Sequence, residues 1–537
     1  LLGDHAEQVQ RIHIAPVDRQ YLAVDFLSLA HPARLVMGDG RLHQVFYVRG
    51  YLICHNISDW LYYPLALPAP WQGAEKFSVS WRISVKQLHP VKRVVMNHSG
   101  SAQPSLTARY CALLCGFVAI AAIFSGTVAK GQAAAPAGPP TTAPAALPPL
   151  TWIDPDTGHR IHRLTSEPNS TGFYFNVNAY TPDGKEMVYS APDGIHVLEL
   201  ATGKTRMVVP GDVKAIVVGH KTPTVFFSKT GERAIYSANV DTGEVKKLAG
   251  LPDRGAVSSI NADETLGSGT YIEGNAGQDY GANRINPPGQ SGPLVQPLNK
   301  AQMMEERLAA HLPLVLFTID LQTGKQTTLL HSTDWINHQL FSPVDPTLLM
   351  YCHEGPWQKV DRIWNIHADG TDNQLIHKRT MAMEIAGHEF WGIDGKTIWY
   401  DLQIPKGEDF FLAGYNLDTG LRRWYHLQRN EWSIHFNVTK DESLFCGDGG
   451  DPGQVAKAPD GEWIELFHPQ LLPVSGINDK DMIQPGVFHS EHLVNMSKHD
   501  YRLEPNVRFS PDNKMVIFTS NMFGPSYVFG VEVAKAQ

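Results

Sequence analysis

The sequence predicts an all-β fold: a seven-bladed β-propeller over residues 150–537, closed by its own N-terminal strand, with one long insertion in the third blade. Three observations predict it. A turn of the D-x-T-G type recurs at 156–158, 201–203, 241–243, 321–324, 369–370 and 418–420, mostly at intervals of about 40 to 50 residues, the period of four-stranded propeller blades. A second turn, with Pro or Asp after an apolar run, recurs at 181–184, 341–345, 392–395, 438–442 and 509–513 and reads as the link between the first and second strands of a blade. The runs between these turns are short and alternating or continuously apolar, which suits strands rather than helices.

The chain has 537 residues, 43% of them hydrophobic, so one sizeable core can form and a single small domain is excluded. A formal charge of −9 and the lack of a basic stripe argue against nucleic acid, so an anionic ligand has to be held by local cations.

Residues 1–95 precede a secretion-like segment and are expected to be upstream translation rather than a native domain. Residues 96–132 read as a signal peptide: Arg109, the apolar run 110–126, then small residues. That run is short of the roughly 20 apolar residues that a spanning helix needs. The expected location is periplasmic or secreted, with no stable membrane association once processed. Residues 133–149 are Pro/Ala linker. Cys352 and Cys446 fall in different repeats and are expected to be two buried free thiols.

The first D-x-T-G turn has no pair of inner strands before it, and the last repeat ends soon after its third strand. Residues 160–165 should therefore complete the last blade and remove an open edge. Residues 267–312 interrupt the third blade with Gly, Pro and Asn, then a short amphipathic helix. They are expected to form a lid or rim, with a plain surface loop as the alternative.

Aligning the first-strand turns puts His338, His388, His435 and Asn506 at one equivalent position. Innermost strands run side by side along a propeller's channel, so these residues should ring one axial pocket. Glu504 is two residues before Asn506 and is expected on the same face. The antiparallel second strands return to the same mouth, bringing Cys352, His353 and Glu354 in one blade and Cys446 and Asp448 in another, with Arg362 nearby. His489, His492 and His499 fall in the connection before the last blade and read as rim or surface residues. A lone strand histidine is commonly structural, but three in register suggest acid–base or metal chemistry. No H-E-x-x-H, G-x-S-x-G, P-loop or dinucleotide fingerprint occurs.

The segments C-H-E-G-P-W with V-D-R-I-W, G-H-E-F-W, and the His435 strand followed by F-C-G-D-G-G together resemble the oligogalacturonate lyases, seven-bladed propeller enzymes of pectin breakdown. The resemblance covers most of residues 151–537. It implies that His388 is the base that takes the substrate proton, that Arg362 assists, and that His435 binds a divalent metal, typically manganese. Better-known members carry Gln-x-x-His-x-His before the last blade's turn, where this chain has Tyr501, Glu504 and Asn506. His435, Glu504 and Asn506 are the expected metal ligands, a set that also suits calcium or magnesium. His338, His353, Glu354 and Tyr501 are expected to contact an oligogalacturonide or another uronic-acid oligosaccharide. The competing readings are a non-catalytic periplasmic propeller resembling the Tol-associated type, and a glycoside hydrolase using two of Glu354, Glu389 and Asp448.

Overall fold

The computed structural model describes residues 147–274, 300–453, 458–475 and 482–537, together with six strands among residues 10–64. The chain divides into two compact units, Leu1–Pro136 and Ala137–Gln537. In the first unit the strands Gln10–His13, Leu22–Phe26 and Arg34–Met37 form one sheet, and Gln44–Val48, Tyr51–Asn56 and Asp59–Pro64 another. The rest of the expected upstream segment 1–95, the expected signal peptide 96–132 and the Pro/Ala linker up to residue 146 lie outside the described residues.

The second unit is the expected propeller. Blade one holds Glu186–Ala191, Gly194–Glu199 and Thr205–Pro210; its innermost segment is irregular and bridges only at Thr171 to Ser190 and Tyr180 to Met187. Blades two to five are antiparallel and four-stranded, beginning at Val213–Val218, Ala256–Ile260, Trp335–Phe341 and Ile385–Trp391. Blade six runs from Phe436–Val438 to Ile483–Asn495, and this long last strand pairs parallel with Arg422–Leu427, fusing blades five and six into one sheet. His489 and His492, expected in a connection, lie on that strand. His489 bonds Gln470 and His492 bonds Glu465.

Blade seven closes the ring. Its strand Tyr527–Lys535 pairs with His159–Arg163, Val531 opposite Ile161, and Thr151–Ile153 adds a fifth strand beyond it. The core lies between stacked blade faces: Ile517 and Val528 of blade seven pack with Val188 and Val197 of blade one, while Phe518 and Phe529 share a cluster with Phe436 and Phe467 of blade six.

The recurrent turns are hydrogen-bonded devices. Asp183, Asp441 and Asp512 each accept from a hydroxyl two residues earlier, Thr181, Thr439 and Ser510, at 2.7 to 2.8 Å. Such local side-chain bonds favour turns over continuation of a strand.

In blade three the second strand extends through Ile272, so the insertion starts later than residue 267. Gly267 and Gly269 suggested a loop, yet a Cβ on Gly269 would meet the Ala256 carbonyl oxygen at 1.9 Å; that glycine permits a close strand approach at a bulge. The expected helix is present as Lys300–Ala310.

Candidate active site

Three of the four aligned positions, all but His435, share an unusual backbone. His338, His388 and Asn506 have φ of 50°, 44° and 57°, and the ladder slips at Asn337/Leu340 and Gly387/Phe390. A non-glycine residue in the left-handed region within a strand bulge is strained by about 1–3 kcal/mol, and bulges re-aim side chains. Here they turn the histidines toward a cavity of about 260 Å³, lined in part by His338, His388, Glu354 and Glu504.

His388 stands at the floor. Its Nδ1 is buried and lies 3.4 Å from the Asp401 carboxylate, while its ring lines the cavity, so Nε2 is the nitrogen on the open side. Asp401 sits on the neighbouring strand opposite Gly387, is 1% exposed, and neither of its oxygens has a hydrogen-bond partner. Gly387 is required because a Cβ there would meet the Trp357 ring at 2.5 Å, and Trp357 packs edge-on against His388. Burial first, then the nearby His435, push the His388 pKa well below the usual imidazole range. Burial pushes Asp401 up to about 7.

His435 is fully buried and clamped. Its Nδ1 lies 2.7 Å from Asp448 Oδ2, its backbone N–H donates to Asp448 Oδ1 at 2.8 Å, and Phe175 stacks on the ring at 4.4 Å. A carboxylate on Nδ1 fixes the proton there and leaves a lone pair on Nε2. That Nε2 is buried, without a hydrogen-bond partner, and 3.8 Å from the Glu504 carboxylate. An orphaned imidazole lone pair beside a carboxylate is a donor set suited to a divalent cation.

A second group of potential ligands, His338, Cys352 and Glu389, lies within 4.8 Å of one another. Its charges are already compensated. His338 is 3.1 Å from Glu389 and 3.5 Å from Glu354, and Arg362 donates to Glu354 at 3.0 Å and lies 3.7 Å from Cys352 Sγ. Burial raises both carboxyls, but Arg362 and His338 outweigh it at Glu354, and His338 outweighs it at Glu389, holding each at about 2. Burial pushes the Cys352 thiol up, making it a poor ligand. Cys352 and Cys446 are the expected buried free thiols.

Several expected positions differ. Glu504 reaches the cavity but Asn506 does not: its Nδ2 donates to the Glu504 carbonyl and its Oδ1 accepts from Phe175 N–H, so the amide is taken up by backbone. Residues 504–507 are not a strand, so strand alternation did not apply. Tyr501 is 1% exposed and donates to the Asp448 carbonyl, supporting the His435 clamp rather than meeting a ligand. His353 points to the opposite face from Cys352 and Glu354, toward Trp364 and 3.5 Å from Asp334. Arg362 is 2% exposed beneath Trp357, 4.4 Å from its ring, and does not line the cavity. His499 is buried, bonding Ser520 and the Leu503 carbonyl.

Sequence reasoning missed Tyr174 and Phe175, which come from blade one's irregular inner segment and pack among the histidines. The run Phe173-Tyr174-Phe175 before the 181–184 turn was the available signal. It also missed Asp401, visible as a lone carboxylate inside the apolar run T-I-W-Y-D-L-Q; the insertion, expected as a lid or rim, contributes Lys300, Met303 and Met304 of its helix to the cavity wall, residues not singled out from the sequence.

The chain is similar to two curated proteins: the oligogalacturonate lyase of Dickeya dadantii, 24% identical over 392 residues, and the oligogalacturonide lyase of Pectobacterium atrosepticum, 24% identical over 396 residues. Each match covers 71% of this chain and 95% of the relative. Among solved structures, an oligogalacturonate lyase in complex with manganese superposes with a TM-score of 0.58 at 22% identity, covering 73% of this chain and 99% of that one. The oligogalacturonate lyase of Vibrio parahaemolyticus gives 0.57 at 20% identity, covering 72% and 96%. These two structures share the propeller fold. The family model for oligogalacturonate lyase matches residues 145–536, most of the chain and all of its blades, and the chain belongs to that family.

Proposed function

We propose that the protein is a metal-dependent lyase that cleaves oligogalacturonides by β-elimination, giving 4,5-unsaturated uronates or the 4-deoxy-5-keto sugars derived from them. The observation that carries the reading is the pair of differently set histidines: His388, backed by Asp401 and kept neutral, beside His435, whose Nε2 lone pair faces Glu504. The family membership and the manganese-bound relative support the same assignment.

The reaction needs a base for a weakly acidic C5–H and compensation of the charge that develops on the adjacent carboxylate. His435 and Glu504 would hold a divalent ion, manganese by analogy, which when bound supplies Lewis-acid stabilisation of that carboxylate. The Asp401 carboxylate, 3.4 Å from Nδ1 of His388, favours the ring proton on that nitrogen and so keeps Nε2 free toward the cavity. Nε2 takes the C5 proton, the C5–H electron pair becomes the C4=C5 double bond, the C4–O4 bond breaks, and the departing O4 is protonated from water. Arg362 holds Glu354 in place under Trp357 and keeps the floor of the cavity ionised in a fixed pattern. Burial lowers the His338 imidazole, but Glu389 and Glu354 outweigh it and raise the ring above its usual range as it bridges the two glutamates.

A glycoside hydrolase would need a protonated carboxyl at the scissile oxygen. Glu354 and Glu389 are held at about 2, and Asp448 is committed to His435, which favours elimination. The signal-like segment at 96–132 supports a periplasmic or secreted setting. Incubating digalacturonate with the protein, with and without a chelator, tests the function: ultraviolet-absorbing product that disappears on chelation is expected. Hydrolysis to saturated galacturonate, or undiminished turnover after complete metal removal, would overturn it.

A further inference from the structure

The insertion of blade three contributes part of the cavity wall. Its helix Lys300–Ala310 docks onto blade four through Arg307 stacked 3.6 Å over Trp335 and through Glu305 paired with Lys359 at 2.7 Å, and its Met303 and Met304 are buried at the cavity wall. Trp335 opens the inner strand of blade four, so the helix is fixed to the element that carries His338. This docking sets Lys300, the first residue of the helix, at the cavity beside Glu354, His388 and Glu504.

The charge balance there is uneven. Glu354 and Glu504 line the cavity, with Glu389 and Asp401 buried behind it. Arg362 is bonded to Glu354 and covered by Trp357, and His338 is shared between two glutamates. Lys300 is exposed, and among the described residues it forms no ion pair. Its charge is nonetheless felt at both Glu354 and His388. An anionic sugar entering this cavity meets one ammonium group that is not already neutralised by the protein.

We propose that Lys300 is a specificity residue supplied by the insertion, binding a carboxylate of the uronic-acid oligosaccharide and selecting free uronates over esterified ones. Lysine suits this task as a mobile point charge with three donors, reaching a carboxylate whose position varies with the sugar. The family's base and metal residues belong to the inner strands, whereas Lys300 belongs to a segment inserted between the second and third strands of blade three.

The assignment rests on the lyase reading, and the two are separable. Titration calorimetry would measure binding of digalacturonate and of its methyl diester to the metal-loaded protein, with Lys300→Met and Lys300→Arg each placed in a His388→Ala background that does not consume the ligand. Initial rates would be read on the same substitutions with His388 present. Loss of one charged hydrogen bond predicts about tenfold or more weaker binding of the free acid by Lys300→Met. Lys300→Arg should remain near the parent, and the diester should bind equally to all three. Equal affinity of Lys300→Met and the parent for the free acid would overturn the role of Lys300 while leaving the lyase reading intact. Binding without any turnover by the otherwise native protein would overturn the lyase reading and leave the Lys300 comparison standing. Absence of binding to any uronide would overturn both.

Discussion

The Asp401 carboxylate lies 3.4 Å from Nδ1 of His388, on the side of the ring away from the cavity, and neither of its buried oxygens has a hydrogen-bond partner. The contact joins adjacent strands of blade five at the bulge where His388 takes a positive φ. It makes Asp401 a positioning residue whose effect passes through one imidazole. His388→Ala should lower kcat by about 10²- to 10⁴-fold, the usual contribution of a positioned base, with metal content and substrate affinity largely kept. Asp401→Asn should lower kcat in the same direction without changing KM. Because the two act as a unit, the double variant should be no slower than His388→Ala alone; additive losses in that double-mutant cycle would show that Asp401 acts elsewhere.

The metal assignment divides residues that are neighbours in sequence. His435→Ala or Glu504→Ala removes one of the two proposed donors, His435 buried behind the cavity and Glu504 on its wall, and should abolish tight binding of a divalent ion, read as metal content after dialysis. Asp448→Asn should weaken it by about 10- to 100-fold, because Asp448 orients the His435 ring and fixes its proton. Asn506→Ala should leave metal affinity nearly unchanged and lower stability instead, since its amide bonds only backbone. Strong metal loss in Asn506→Ala would return that residue to the ligand set.

Turn chemistry and repeat spacing made the blade count and the closing strand legible, since both are written in local bonds such as Thr181 to Asp183. The register of His338, His388 and Asn506 was legible for the same reason, as each stands at a fixed distance before such a turn. What strand alternation could not supply was the direction of side chains at bulges or off the ladder. Alternation places Asn506 and Glu504 on one face, but no strand exists there. Chain position alone groups His353 with Cys352 and Glu354, whereas the pleat of their strand turns its side chain to the other face. Arg362 looked ligand-facing, but Trp357, only five residues earlier, folds over it. The parallel pairing of Arg422–Leu427 with Ile483–Asn495 joins segments with no shared local signal, so it had no sequence signature.

Arg362 gives a prediction about stability. Its side chain is 1% exposed and bonds Glu354, which is 6% exposed. Removing one partner of such a pair leaves an uncompensated buried charge, so Arg362→Ala should destabilise the propeller by roughly 3–5 kcal/mol. Chemical denaturation would detect this as a lower midpoint at unchanged slope. Arg362→Ala together with Glu354→Gln should recover part of the loss. A variant as stable as the parent but with raised KM would mean that Arg362 leaves Glu354 to meet substrate directly.

The pH dependence follows from the same buried pair that orders the base. Burial pushes the Asp401 carboxyl up to about 7 and pushes His388 well down. Below about pH 7, Asp401 therefore carries a proton and can donate to Nδ1, which puts the ring proton on Nε2 and leaves no lone pair toward the substrate, although the His388 imidazole is still neutral. Above it, Asp401 ionises, favours the ring proton on Nδ1, and leaves Nε2 as the lone pair toward substrate. Activity should accordingly rise with pH through a limb set by Asp401, and a bound cation nearby would shift that limb to lower pH by favouring the carboxylate. Glu354 and Glu389, held at about 2, stay ionised throughout this window and contribute no limb. The pH profile of kcat/KM for wild type and Asp401→Asn decides it: the asparagine variant, lacking the titrating carboxyl, should be slow but lose the neutral limb. A limb that persists unchanged in Asp401→Asn would assign it to another group.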